Sequence, residues 1–174
     1  MSVVMDVERD PEFPFLPRFG LRMMLPHAMR DVTYCGLGPV ESYVDKRRAC
    51  WHGVFSGTAD SLVEPYIRPQ ENGNHHDCDW ASVSGDGANV TFLGEPGAVG
   101  GDARATFDFQ ALPYTAEEMT RAMHASELRE ADATVVCVDF MQSGVGSNSC
   151  GPELDGRYRL DAERFTFAVS IDPR

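Results

Sequence analysis

The sequence predicts an all-β fold, an antiparallel β-sandwich with one short helix near 115–124. Three observations carry this. Roughly seven to ten short segments show the apolar alternation or β-branched richness of strands. Clusters of Gly, Pro and Asn punctuate them. Only one segment carries helix start signals. Hydrophobic residues make up 43% of the 174 residues and charged residues 24%, enough apolar material for one core, so 1–174 reads as a single domain.

The elements follow in order. "SVVMDVER" reads as a strand, and the three prolines of "DPEFPFLPR" extend the connector after it. "FGLRMMLP" and "DVTYCGLG" read as neighbouring strands of a hairpin or meander. "CWHGVFSGTADSLVEPYI" mixes strand and turn signals, and "RPQENGNHHD" is a polar connection. "HDCDWASV" alternates as one strand, with His76, Cys78 and Trp80 on one face and Asp77 and Asp79 on the other. "ANVTFLGE" and "ATFDFQAL" are further strands joined by "PGAVGGD". In "YTAEEMTRAMH" Thr115 is placed to cap a helix, with Glu118 as its capping-box partner. "ATVVCVDF", "RYRL" and "RFTFAVSI" complete the strands.

Charge excludes one large class of function. A formal net charge of -12, from 27 acids against 15 bases, repels polyanions and argues against nucleic acid as a partner. Apolar runs such as "TVVCV" at 134–138 are far shorter than the ~20 residues of a membrane helix, so no membrane partner is expected. "MSVVMDVERD" lacks the basic and apolar regions of a secretory signal, and a cytoplasmic location is the expectation. Five cysteines without a C-x-x-C pair fit reduced thiols.

Several segments invite a chemical reading. "MQSGVGSNSCGPEL" (141–154) packs three glycines, three serines and a cysteine between two strands. It lacks the Lys-Ser/Thr ending of a phosphate loop and opens no helix, so phosphate binding is disfavoured. Cys150 has no sequence-linked histidine to generate a thiolate. "HHDCD" (75–79) is rich in metal-capable side chains, but alternation along a strand sends neighbours to opposite faces, so no metal site is assigned. Glycoside hydrolysis needs two flanking carboxylates, and no spacing among the 27 acids singles out a pair. Tyr43, Trp51, Tyr66, Trp80 and Phe140 are candidates to stack on a sugar, with core packing the commoner fate. Glu41 and Asn72 read as partners for buried backbone groups, Gly36, Gly38 and Pro39 as a turn, and Asp45, Lys46 and Arg47 as an ion pair or an exposed edge.

Four phrases together carry a resemblance: "LPRFGLRMMLP" (16–26), "VTYCGLGPVESYVDKRRAC" (32–50), "VEPYIRPQENGNHHD" (63–77) and "SGVGSNSCGPEL" (143–154). In this order they resemble the C-terminal domain of the multidomain β-galactosidases of glycoside hydrolase family 2, in some members a separate small chain. The resemblance implies a supersandwich similar to the galactose mutarotase fold, packed against a catalytic TIM barrel, with this chain matching the C-terminal portion and starting in mid-domain. It places the catalytic glutamates, and the Mg and Na ions, in the barrel, leaving no catalytic residue and no cofactor in this chain.

The resemblance also implies that the 143–154 loop forms part of the galactose pocket. Cys150 stands where well-known members carry a tryptophan, in a loop one residue shorter, and Ser147, Asn148 and Ser149 can add hydrogen bonds. The implied partners are the catalytic barrel or large chain and a galactoside such as lactose, and exposed strand edges make a homo-oligomer possible. Two rival readings stay open: an autonomous galactose-binding module, and a mutarotase-like epimerase or metal-dependent hydrolase using His75, His76 and Cys78.

Overall fold

A computed structural model describes residues 1–96, 105–146 and 152–174. Among these residues, ten strands form two antiparallel sheets. The strands are β1 (Ser2–Glu8), β2 (Arg18–Leu25), β3 (Asp31–Gly38), β4 (Trp51–Thr58), β5 (Asn74–Cys78), β6 (Trp80–Gly85), β7 (Ala88–Glu95), β8 (Phe107–Leu112), β9 (Thr134–Gln142) and β10 (Arg164–Pro173). A six-stranded sheet runs β1-β10-β7-β6-β3-β4, and a four-stranded sheet runs β2-β9-β8-β5. The fold is the all-β sandwich that the sequence predicts.

Alternation sends Tyr34, Phe92, Phe165, Phe167 and Val169 of the larger sheet and Phe107, Phe109, Val136, Val138 and Phe140 of the smaller one into a shared core. Each such side chain contributes roughly 1.5–3 kcal/mol of burial. Phe140 stacks on Phe165 with ring centroids 4.5 Å apart, and Phe19 meets Phe165 edge-on at 5.2 Å. The β6–β7 hairpin closes on Asp86-Gly87, both at positive φ (52° and 78°), the type I′ geometry that matches strand twist. Among the described residues, no helix is long and apolar enough to cross a membrane.

Three local expectations are corrected. "HDCDWASV" is two strands, because the chain switches sheets. Asp77 adopts φ 62° beside a register shift between His75 and Cys78, so β5 stays in the small sheet while β6 enters the large one. β2 and β3 form no hairpin: β2 pairs with β9, and β3 with β4 and β6. "RYRL" is a 3₁₀ turn, Gly156–Tyr158, followed by a single bridge from Leu160 to Leu16.

The predicted helix is α1 (Ala116–Arg121), whose Thr115 Oγ1 accepts from the Glu118 amide at 3.1 Å. The Glu118 carboxylate accepts from Arg121 and from the Arg129 amide, so it is committed there and not to the reciprocal capping-box bond. The "PGAVGGD" connection between β7 and β8 falls at 96–102, and all of it after Pro96 lies outside the described residues.

Candidate functional site

The loop that the sequence singles out is anchored at both stems. Ser143 bolts three segments together: its amide donates to Pro17 O (2.9 Å), its hydroxyl donates to Leu16 O (2.7 Å), and its Oγ accepts from the Leu160 amide (2.8 Å). Beyond it, the Asp45 carboxylate accepts from two successive amides, Val145 (3.2 Å) and Gly146 (2.9 Å). A Cβ on Gly144 would sit 2.6 Å from the Asp45 carboxylate, so a side chain there would push that carboxylate away from the amides it holds. On the far stem Leu154 is buried, and its carbonyl accepts from Arg159 Nε at 2.8 Å. Ser147, Asn148, Ser149 and Cys150 lie outside the described residues.

Between these stems opens a cleft of about 280 Å³, lined by Arg18, Glu71, Gln142, Gly144, Val145 and Leu154 among others. Its floor is a polar network on the outer face of the four-stranded sheet. Arg18 Nε donates to Asp139 Oδ2 at 2.9 Å, and its Nη1 donates to Glu71 at 3.2 Å and Gln110 at 3.4 Å. Gln110 Nε2 in turn donates to Glu71 Oε1 (2.5 Å) and to Asn72 O (2.6 Å). Burial pushes the Asp139 carboxyl up to about 6 even though Arg18 pulls the other way. Burial alone would lower the Arg18 guanidinium, but Asp139 and Glu71 more than offset it and hold it charged.

Gln142 Oε1 is buried at the cleft wall with no hydrogen-bond partner among the described residues. An orphaned buried acceptor costs about 1–3 kcal/mol, which makes this a point where an incoming donor is favoured. Arg18 also borders a second cleft of about 320 Å³ that runs toward α1 past Tyr114, Met119 and Cys137.

Behind the cleft, Glu41 ties the motif around 36–46 to the one around 63–74. It is 4% exposed and accepts from the Gly73 amide at 2.8 Å, from the Tyr43 hydroxyl at 3.5 Å, and from the Tyr66 hydroxyl and Lys46. Gly73 sits at φ 69°, where a Cβ would come within 2.7 Å of Leu62 O. Asn72 Oδ1 accepts from the Glu64 amide at 3.2 Å, and Asn74 Nδ2 donates to Ser42 O at 2.8 Å. Glu41 and Asn72 therefore satisfy buried backbone amides, as the sequence reading holds. Lys46 supplies an ion pair with Glu41, whereas Asp45 serves the loop.

The remaining sequence candidates scatter. His75 faces the core, stacked on Tyr34 with centroids 4.0 Å apart, and burial lowers it to about 4. His76 faces the other way and meets Asp108 at 2.5 Å. Cys78 is buried and donates to His75 O at 3.3 Å. The three form no common ligand set. Tyr43 and Phe140 are buried, and Tyr66 is held by Glu41 and Lys46. Trp51 is 60% exposed at the end of edge strand β4, and Trp80 lies on the outer face of the six-stranded sheet. Sequence reasoning passed over the Arg18–Asp139 pair. Its signal was present: an aspartate embedded in the apolar run "TVVCVDF" of an interior strand needs a cation.

Fold and cleft together define a β-sandwich domain built around one anchored loop. The sequence matches the family described as "Beta galactosidase small chain" over residues 1–171, and the chain belongs to that family. It is 41% identical to a "Beta-galactosidase" of Actinobacillus pleuropneumoniae over 98% of this chain and 16% of that protein. It is 37% identical to a "Beta-galactosidase" of Staphylococcus xylosus, again over 98% of this chain and 16% of the relative. A "Beta-galactosidase" of Arthrobacter sp. (strain B7) is 34% identical over 89% of the chain. The chain thus spans only 16% of the length of the first two relatives.

Proposed function

We propose that the chain is the non-catalytic β-sandwich part of a cytoplasmic β-galactosidase, an enzyme that hydrolyses terminal β-D-galactosides such as lactose. In this reading it packs against a catalytic barrel, on the same or another chain, and completes the galactose pocket through the 143–154 loop. The observation that carries the reading is the double anchorage of that loop by Asp45 and Ser143 at the rim of the Arg18–Glu71–Gln142 cleft. Asp45 fixes the backbone of that loop through two successive amides from 100 residues away, which supports a loop held in a set position. The relatives' names supply the reaction class.

The chain supplies position and stability; the glutamates that break the glycosidic bond, and the Mg and Na ions, belong to the barrel. Ser147, Asn148, Ser149 and Cys150 are, in this reading, the residues of that loop that bind the substrate. Cys150 packs a small apolar surface there, and the neighbouring hydroxyl and amide groups bond the sugar's hydroxyls. The unpaired edges of β1, β4, β2 and β5 among the described residues support association with the rest of the enzyme, or with a second copy, by strand addition.

Asp45→Ala tests the pocket role. In the assembled enzyme it should raise KM for a nitrophenyl galactoside by about tenfold while the sandwich stays folded, because the loop keeps its Ser143 anchor but loses the one beyond it and misplaces its wall. An unchanged KM would leave the chain a stabilising role only.

A further inference from the structure

The geometry points to a transition-metal site of the zinc class, built from Cys35, His52 and Asp79 on the outer face of the six-stranded sheet. The three residues come from β3, β4 and the β5–β6 junction, and one ligand atom from each lies within 4.8 Å of the others. Cys35 Sγ is 3.4 Å from Asp79 Oδ2, and His52 Nε2 is also 3.4 Å from Asp79 Oδ2. In a tetrahedral zinc site, with Zn–S of about 2.3 Å and Zn–N or Zn–O of about 2.0–2.1 Å, neighbouring donors lie roughly 3.3–3.6 Å apart. Two edges of the triangle already have that length.

The backbone beneath holds the donors in place. Cys35 opposes Val54 on β4, and His52, two residues before it, falls on the same face. On the other side Cys35 opposes Trp80, so Asp79 arrives at the neighbouring position. The Asp79 amide donates to Cys35 O at 2.8 Å, and its carbonyl accepts from the Gly94 amide at 3.0 Å. Three segments far apart in sequence therefore meet through ladder bonds that do not depend on the side chains.

The donor set selects the ion. A thiolate, a carboxylate and a neutral imidazole carry two negative charges together, matching a divalent cation, and sulfur with nitrogen excludes magnesium and calcium in favour of zinc. Three protein ligands leave the fourth tetrahedral position for water or for a group from a partner. Binding replaces the thiol proton of Cys35 by the metal and releases that proton to solvent, so affinity falls as pH drops.

The test is a zinc titration of the 174-residue chain against a competing chelator, with a parallel cobalt titration read by absorbance. The expected result is one equivalent of zinc, and a cobalt complex with thiolate-to-metal charge transfer and the intense visible bands of a tetrahedral site. Cys35→Ser and His52→Ala should each weaken binding on the order of 100-fold, with circular dichroism unchanged because both side chains face solvent. Cys50→Ser should bind as the parent does. Absence of stoichiometric binding, a cobalt spectrum without thiolate bands, or full affinity in Cys35→Ser would overturn the site.

Discussion

Replacing Arg18 by methionine is expected to destabilise the chain by about 3 kcal/mol at pH 8 and by clearly less at pH 5. Asp139 is 3% exposed, and its main compensation is the guanidinium bonded at 2.9 Å, which also reaches Glu71. Removing one partner of a buried pair leaves the other charge uncompensated, at a cost of about 3–5 kcal/mol. The Arg18 side chain keeps 25% of its exposure, which places the effect at the lower end of that range.

The pH dependence follows from Asp139. Its carboxyl sits at about 6 in the folded chain, and without Arg18 it rises further. The unfolded carboxyl titrates near ~3.9, so between these values the folded state holds a proton that the unfolded state has released. The variant's deficit is therefore complete above the raised value and shrinks as pH falls through it toward 6. Urea denaturation at the two pH values measures this. A deficit independent of pH would mean that Asp139 stays charged and that lost packing sets the cost.

Glu41→Ala should cost about 3–5 kcal/mol, because one buried carboxylate satisfies the Gly73 amide, two tyrosine hydroxyls and Lys46 at once. Glu41→Gln keeps the shape and one acceptor oxygen, and should cost less than half as much. The comparison separates two readings of the motif around Glu41. Scaffolding predicts graded loss of stability, whereas a catalytic carboxylate would lose activity equally in both variants with the fold intact. Thermal and urea unfolding of the two proteins, alongside activity in the assembled enzyme, decides between them.

Strand positions and the single helix were legible because alternation and capping are local signals, and Thr115 does cap α1. Sheet membership was not. "HDCDWASV" alternates without a break, but alternation says which face is apolar and not which sheet a strand joins, and the switch rests on Asp77 at φ 62°. The same limit hid the separation of β2 from β3. In the site, glycines marked the 143–154 loop, but its anchor Asp45 lies 100 residues from Val145. Cys35, His52 and Asp79 likewise meet only through the β4–β3–β6 pairing. Proximity of this kind has no trace in a local pattern, whereas Asp139 within an apolar strand left one.

The central claim is that this chain contributes a wall and not the chemistry of a β-galactosidase. The direct measurement is hydrolysis of a nitrophenyl galactoside by the 174-residue chain alone and after mixing with the catalytic remainder of the enzyme. The account predicts no turnover by the chain alone and activity restored on mixing. Robust hydrolysis by the isolated chain would contradict it.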